Sequence, residues 1–244
     1  MSYKTYVRRI FHRLGYDISH YDVNEPGKNP FLDMQRFVAD DPNTTIFDVG
    51  ANVGQTIERF RLHYRDAHIH SFEPSPKTFQ KLRSAVGSRR GVSTWNFAVG
   101  SSPGRAVLQE NKESVMTSLL DLGEQGWGAV ENRTEVEVKT LDDFCREQKI
   151  AQVDILKSDA QGFDLEVMRG AEQMMQANRV GLVLCELCFV EYYRNMATFD
   201  AVYRHLLDRS FAVGAFYPIH YTRNIAQFID VLFVNKAMFP KHFS

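Results

Sequence analysis

The sequence predicts an α/β fold with a mostly parallel seven-stranded sheet, helices on both faces and an antiparallel C-terminal hairpin. Three features carry that prediction. Strand-like and helix-like stretches alternate from Thr45 onward, the signature of parallel strands joined by crossover helices. The first apolar run ends in a glycine turn, "FDVGANVG", that opens a helical pattern. The last two apolar runs, "FAVGAFYPI" and "IDVLFVN", leave no room for a helix between them and must pair antiparallel.

Taken in order, Tyr3, Tyr6, Val7, Ile10, Phe11 and Leu14 form one helical stripe, with Lys4, Arg8, Arg9 and Arg13 mostly off it. This basic amphipathic helix is expected to dock its stripe on the main domain, with weak peripheral contact to a membrane surface or an anionic partner as the alternative. "YDVNEPGKNPFLD" is dense in turn formers and reads as a linker. The chain therefore divides into a helix and linker at residues 1–30 and a catalytic domain at residues 31–244, which opens with a short helix in "FLDMQRFVAD".

"TTIFDVG" and "HIHSFEP" are the first two strands, each followed by a helix, and "VSTWNFAVG" is the third strand. The alternation then breaks: "GRAVLQE" and "TEVEVKT" are extra strands flanking a glycine-rich loop that contains Trp127. It resumes with "VDILKSDAQG", one helix over residues 163–176, "RVGLVLCELCF", a helix over residues 199–207, and the terminal hairpin.

A length of 244 residues with 44% hydrophobic content supports one large core. The formal net charge of -1 gives no global field toward nucleic acid or anionic lipid, so no nucleic-acid partner is expected. Three cysteines cannot pair completely, and no apolar run is long enough to span a bilayer, which together point to a cytoplasmic protein without a transmembrane segment.

The glycine turn decides what the sheet carries. Ligands of open α/β sheets lie beyond the carboxyl ends of the strands, here over Asp48, Gly50, Ala51, Asn52 and Gly54. A pyrophosphate site wants backbone N–H groups without a fixed negative charge beside them, yet Asp48 stands just before the first glycine. That acid suits a ligand with a cationic end. The second strand ends in Glu73 and Pro74, where an acid accepts hydrogen bonds from ribose hydroxyls. In the third, Asn96 is placed to meet an adenine edge and Ala98 to leave room for its ring. A nucleoside with a positively charged tail satisfies both acids, and S-adenosylmethionine is such a molecule.

These motifs resemble those of the FkbM-type family of class I S-adenosylmethionine-dependent methyltransferases. "FDVGANVGQT", "FEPSP", "NFAVG", "TSLL", "TLDDF", "ILKSDAQGFDLEVMRGA" and the "CE" of Cys185 and Glu186 follow in the family's order. The resemblance implies a Rossmann-like class I methyltransferase fold, S-adenosylhomocysteine as product, and O-methylation of a sugar, a glycan or a related natural product. Gln161 stands where many members carry Glu, and Asp164 where many carry another Glu.

Methyl transfer to a hydroxyl needs a group that takes the hydroxyl proton. Asp159 is the candidate base, with Lys157 on the same strand face to orient it and Glu186 as a further strand-end carboxylate. A divalent metal between Asp159 and Glu186 is possible but is not the reading adopted, and no metal ligands are assigned. "EYYRN" and "FYPIHY", with Ser118 and Trp127, form the expected acceptor rim. The alternatives to an enzyme of this kind are a non-catalytic cofactor-binding partner subunit and an NAD-dependent oxidoreductase or epimerase. Neither the acceptor nor the oligomeric state is legible in one chain.

Overall fold

The computed structural model describes residues 3–15 and 22–243. Helix α1 (Tyr3–Arg13) comes first, and α2 (Pro30–Gln35) follows the linker. Asn29 caps α2, its side chain accepting from the N–H groups of Phe31 and Leu32, and Pro30 fills the first turn where no donor is needed. Then come β1 (Thr45–Val49), α3 (Gln55–His63), β2 (His68–Phe72), α4 (Pro76–Val86), β3 (Val92–Trp95), β4 (Ala98–Val99), β5 (Gly104–Asn111) and β6 (Val130–Lys139). The second half contains α5 (Leu141–Gln148), β7 (Val153–Ser158), α6 (Asp164–Arg169), α7 (Glu172–Gln176), β8 (Val180–Cys188), α8 (Phe199–Leu207), β9 (Phe211–Phe216), β10 (His220–Thr222) and β11 (Ile225–Asn235).

The main sheet runs β10-β11-β8-β7-β1-β2-β3, with β9 also paired to β11. β3, β2, β1, β7 and β8 are mutually parallel, and β11 pairs antiparallel with both β8 and β9. The terminal hairpin is thus present, but the sheet has eight strands rather than seven. The extra one is β10, because β11 outruns β9 and its first residues pair with His220–Thr222 instead. The predicted third strand divides in two: β3 stays in the main sheet, while β4 joins β6 and β5 in a separate three-stranded sheet.

One core packs between the sheet and α5 to α8, around Phe47, Phe144, Leu156 and Phe233, and a second lies on the opposite face around Met34, Ile57, Phe60 and Leu82. Burial on both faces explains the near-continuous apolar run of β8. The helix predicted over residues 163–176 is two helices that break at Gly170. There the carbonyl of Gly170 accepts from Asp142 N–H, and a Cβ would stand 2.3 Å from the carbonyl oxygen of Gly100.

Of the described part of the α1 stripe, Val7 is half-buried, while Ile10, Phe11 and Leu14 are 43%, 40% and 66% exposed, so its last turns do not dock. Among the described residues no helix is long and apolar enough to cross a membrane.

Candidate functional site

A cleft opens at the carboxyl ends of β1, β2 and β7, roofed by the small sheet and the loop that follows β5. Its position is that of ligand sites in open α/β sheets. Gly50, at φ +78°, forms its floor; a Cβ there would lie 2.1 Å from the Asp159 carbonyl oxygen, so the turn at β1 admits only glycine where the β7 backbone passes. The N–H groups of Gly50 and Ala51 both donate to the Phe72 carbonyl, and that of Gly54 donates to Ala51. Ala51 is buried and Gly54 starts α3 at φ +99°, so both shape the turn from behind the cleft wall.

Glu73 lines the cleft and is buried. Its Oε2 accepts from Asn52 N–H at 3.0 Å and its Oε1 from Ser75 N–H at 2.9 Å. Burial pushes its carboxyl up to about 7, against the downward pull of those two N–H bonds. Pro74 lines the cleft beside it. Asn52, held at φ +49°, donates from Nδ2 to Ser114 Oγ at 3.3 Å, while its buried Oδ1 has no hydrogen-bond partner among the described residues. Phe97, Ala98, Val99 and Leu108 supply an apolar wall suited to a flat ring.

Two of the expected cofactor residues lie elsewhere. Asn96 is exposed and donates to the carbonyls of Glu73 and Pro74 at 2.8 and 3.0 Å, so it braces the end of β2 instead of meeting an adenine edge. Asp48 is fully buried and does not line the cleft. The cation that answers it belongs to the chain itself: Asp48 and Lys157 are register partners in neighbouring parallel strands, and Lys157 Nζ lies 3.3 Å from Asp48 Oδ1. That contact is an ion pair without hydrogen-bond alignment, since neither Asp48 oxygen has a well-aligned donor. Burial pushes the Asp48 carboxyl up, and Lys157 opposes it.

Lys157 joins two carboxylates, its Nζ lying 3.3 Å from Asp159 Oδ2 as well. Burial pulls its ammonium down, but Asp159 and Asp48 outweigh burial and hold it above its ordinary value, so it stays protonated. The Asp159 carboxylate is 40% exposed and lines the cleft. Gln161 Nε2 donates to its Oδ1 at 2.6 Å, and Tyr193 Oη donates to Gln161 Oε1 at 2.8 Å. The turn after β7 is tied by a different acid: Asp164 Oδ1 accepts from Ser158 Oγ at 2.5 Å and Ala160 N–H at 3.1 Å. Asp159 is thereby released from capping and left facing the cleft between two orienting donors.

Glu186 is off the wall of this cleft. It lines a smaller cavity between α6, α8 and β8, accepts from Cys188 Sγ at 3.4 Å, and shares no hydrogen bond with Asp159. Burial, reinforced by Asp159, Asp164 and Asp230, pushes its carboxyl up to about 8. A raised acid pKa favours the neutral form in the fold, so its contribution to stability is complete below about pH 4.5 and is lost as pH rises through about 8. Glu186→Gln is expected to melt like the wild type at pH 5 and to gain about 2 kcal/mol over it at pH 9, measured by thermal denaturation. Equal melting at pH 9 would mean that Glu186 ionises freely.

Of the expected acceptor rim, Phe216 and Tyr221 are exposed, Tyr217 is buried with its hydroxyl on Asp33, and Ser118 is buried on the cleft wall, donating to the Gln161 carbonyl at 2.7 Å. No local pattern signals the Tyr193 to Gln161 link, because adjacent Tyr192 and Tyr193 look alike until the loop is folded. Tyr192 instead donates to Gln227. Among the described residues no three His, Cys, Asp or Glu side chains gather as a metal site.

The methyltransferase FkbM domain model matches residues 48–213, which include the end of β1, the glycine turn and Asp159. The 2-O-methyltransferase NoeI of Sinorhizobium fredii is 26% identical over 149 residues, 57% of this chain and 61% of that protein. The 31-O-demethyl-FK506 methyltransferase FkbM of Streptomyces tacrolimicus is 26% identical over 165 residues, 54% of this chain and 60% of its own length. The chain thus spans about three fifths of these relatives. Among solved structures, an rRNA methylase from Streptococcus thermophilus superposes with a TM-score of 0.50 at 12% identity, covering 88% of this chain and 99% of that one, a likeness of fold alone. With more than half of its length under the domain model, the chain belongs to the FkbM family of methyltransferases.

Proposed function

We propose that residues 31–244 form an S-adenosylmethionine-dependent methyltransferase that acts on a hydroxyl of a sugar, a glycan or a related natural product. One observation carries the choice of cofactor. The N–H groups of Gly50, Ala51 and Asn52 are all consumed by protein acceptors, so the turn offers them to no pyrophosphate, while Glu73 holds a buried carboxylate on the cleft wall. This disfavours the NAD-dependent reading and suits a ribose without a phosphate. The unpartnered Asn52 Oδ1 gives a further acceptor for an amine or hydroxyl, and the apolar wall accepts the adenine.

When bound, S-adenosylmethionine supplies a methyl group on a sulfonium. Glu73 accepts the ribose hydroxyls, and the Asp159 carboxylate takes the proton of the acceptor hydroxyl. Lys157 and Gln161 fix both oxygens of Asp159, which supports alignment of the base with the acceptor. Asp48 keeps Lys157 in place and acts on the ligand only through it. The names of both relatives describe O-methylation, which supports a hydroxyl acceptor here.

Incubation with methyl-labelled S-adenosylmethionine and a panel of neutral sugars and polyols, followed by NMR of the product, is expected to place the label on an ether oxygen. Label found only on nitrogen or carbon would contradict the reading.

A further inference from the structure

Helix α1 carries charges of one sign only: Lys4, Arg8, Arg9, His12 and Arg13, with no acidic residue in its span. At helical spacing its apolar residues fall on one face and most of these basic residues on the other. Of that face Val7 is half-buried, whereas Ile10, Phe11 and Leu14 are exposed in the folded chain, so the main domain leaves the last turns of the stripe uncovered. An apolar stripe backed by basic side chains matches one environment in both respects, the boundary between acyl chains and negatively charged headgroups. Of the chain's formal net charge of -1, Lys4, Arg8, Arg9 and Arg13 of α1 contribute +4, which leaves the rest at -5, so attraction to negatively charged headgroups comes from α1. We propose that α1 seats this protein peripherally on an anionic bilayer, with Ile10, Phe11 and Leu14 inserted among the headgroups and the basic face paired with lipid phosphates.

An 11-residue helix is about 16 Å long, enough to lie in the interface and too short to span a bilayer. Such contact is reversible and salt-sensitive. The proposal does not depend on the methyl-transfer reading, because it concerns only the surface on which the protein works.

The test is sedimentation of the full chain with vesicles of phosphatidylglycerol and phosphatidylcholine, against vesicles of phosphatidylcholine alone. The protein is expected to pellet with the anionic vesicles and to be released as salt rises. The triple variant Ile10→Ser, Phe11→Ser, Leu14→Ser is expected to remain in the supernatant with an unchanged melting curve. Lys4→Gln, Arg8→Gln, Arg13→Gln removes three charges at about fivefold in partitioning each, so its binding should fall about 100-fold. No binding to anionic vesicles, or binding undiminished in the serine variant, overturns the proposal. So does a wild-type dimer that the serine variant converts to monomer, since a second copy would then cover the stripe.

Discussion

Asp159→Asn is expected to lower kcat by about 10²- to 10⁴-fold while leaving the affinity for S-adenosylhomocysteine within about twofold. The substitution keeps the volume and polarity of the side chain and removes only its capacity to take a proton. The residues proposed to bind the cofactor are Glu73, Asn52 and the apolar wall, none of which hydrogen-bonds the Asp159 carboxylate. Residual turnover comes from proximity and alignment, which the variant retains. Single-turnover rates, with calorimetry in parallel, separate the two effects. Unchanged turnover would remove Asp159 as the base, and a parallel loss of cofactor affinity would show it to be a structural group.

The second large effect belongs to Glu73. Glu73→Ala is expected to weaken S-adenosylhomocysteine by at least about 100-fold, since hydrogen bonds to a charged acceptor contribute about 1.5–3 kcal/mol each and a ribose offers two hydroxyls. Truncation also strands the N–H groups of Asn52 and Ser75, so the turn loosens as the ligand contact is lost. Glu73→Gln keeps the shape and separates these contributions. Because burial holds this carboxyl near 7, only its ionised form offers full acceptor strength to both hydroxyls. The affinity of the wild type is therefore expected to rise between pH 6 and pH 8, and that of Glu73→Gln to stay flat. A flat wild-type profile would place the ribose elsewhere.

Much of this was legible in the sequence, for physical reasons that can be named. The parallel strands declare themselves because β8, buried on both faces, reads as an apolar run broken only by Glu186, and because strand-like and helix-like stretches alternate. The terminal hairpin follows from chain length alone. Glu73 and Gly50 are legible because each ends or follows a strand, where the topology fixes what the residue faces.

What was hidden depends on contacts between segments distant in sequence. Asp48 invites a ligand cation only until β7 is laid beside β1 in register, which puts Lys157 against it. Asn96 could serve a ligand or a backbone equally well, and the carbonyls of Glu73 and Pro74 claim it. The break at Gly170 is set by the approach of Gly100 from another element. The Gln161 to Asp159 contact needs Gln161 in the left-handed region, at φ +52°, which no local pattern announces.

Calorimetric titration of S-adenosylhomocysteine and of NAD into the wild-type protein tests the central claim most directly. One site of micromolar strength is expected for S-adenosylhomocysteine and no heat from NAD. Binding of NAD, with none of S-adenosylhomocysteine, would mean that the occupied N–H groups of the glycine turn open to a pyrophosphate, and the methyltransferase reading of the cleft would fall.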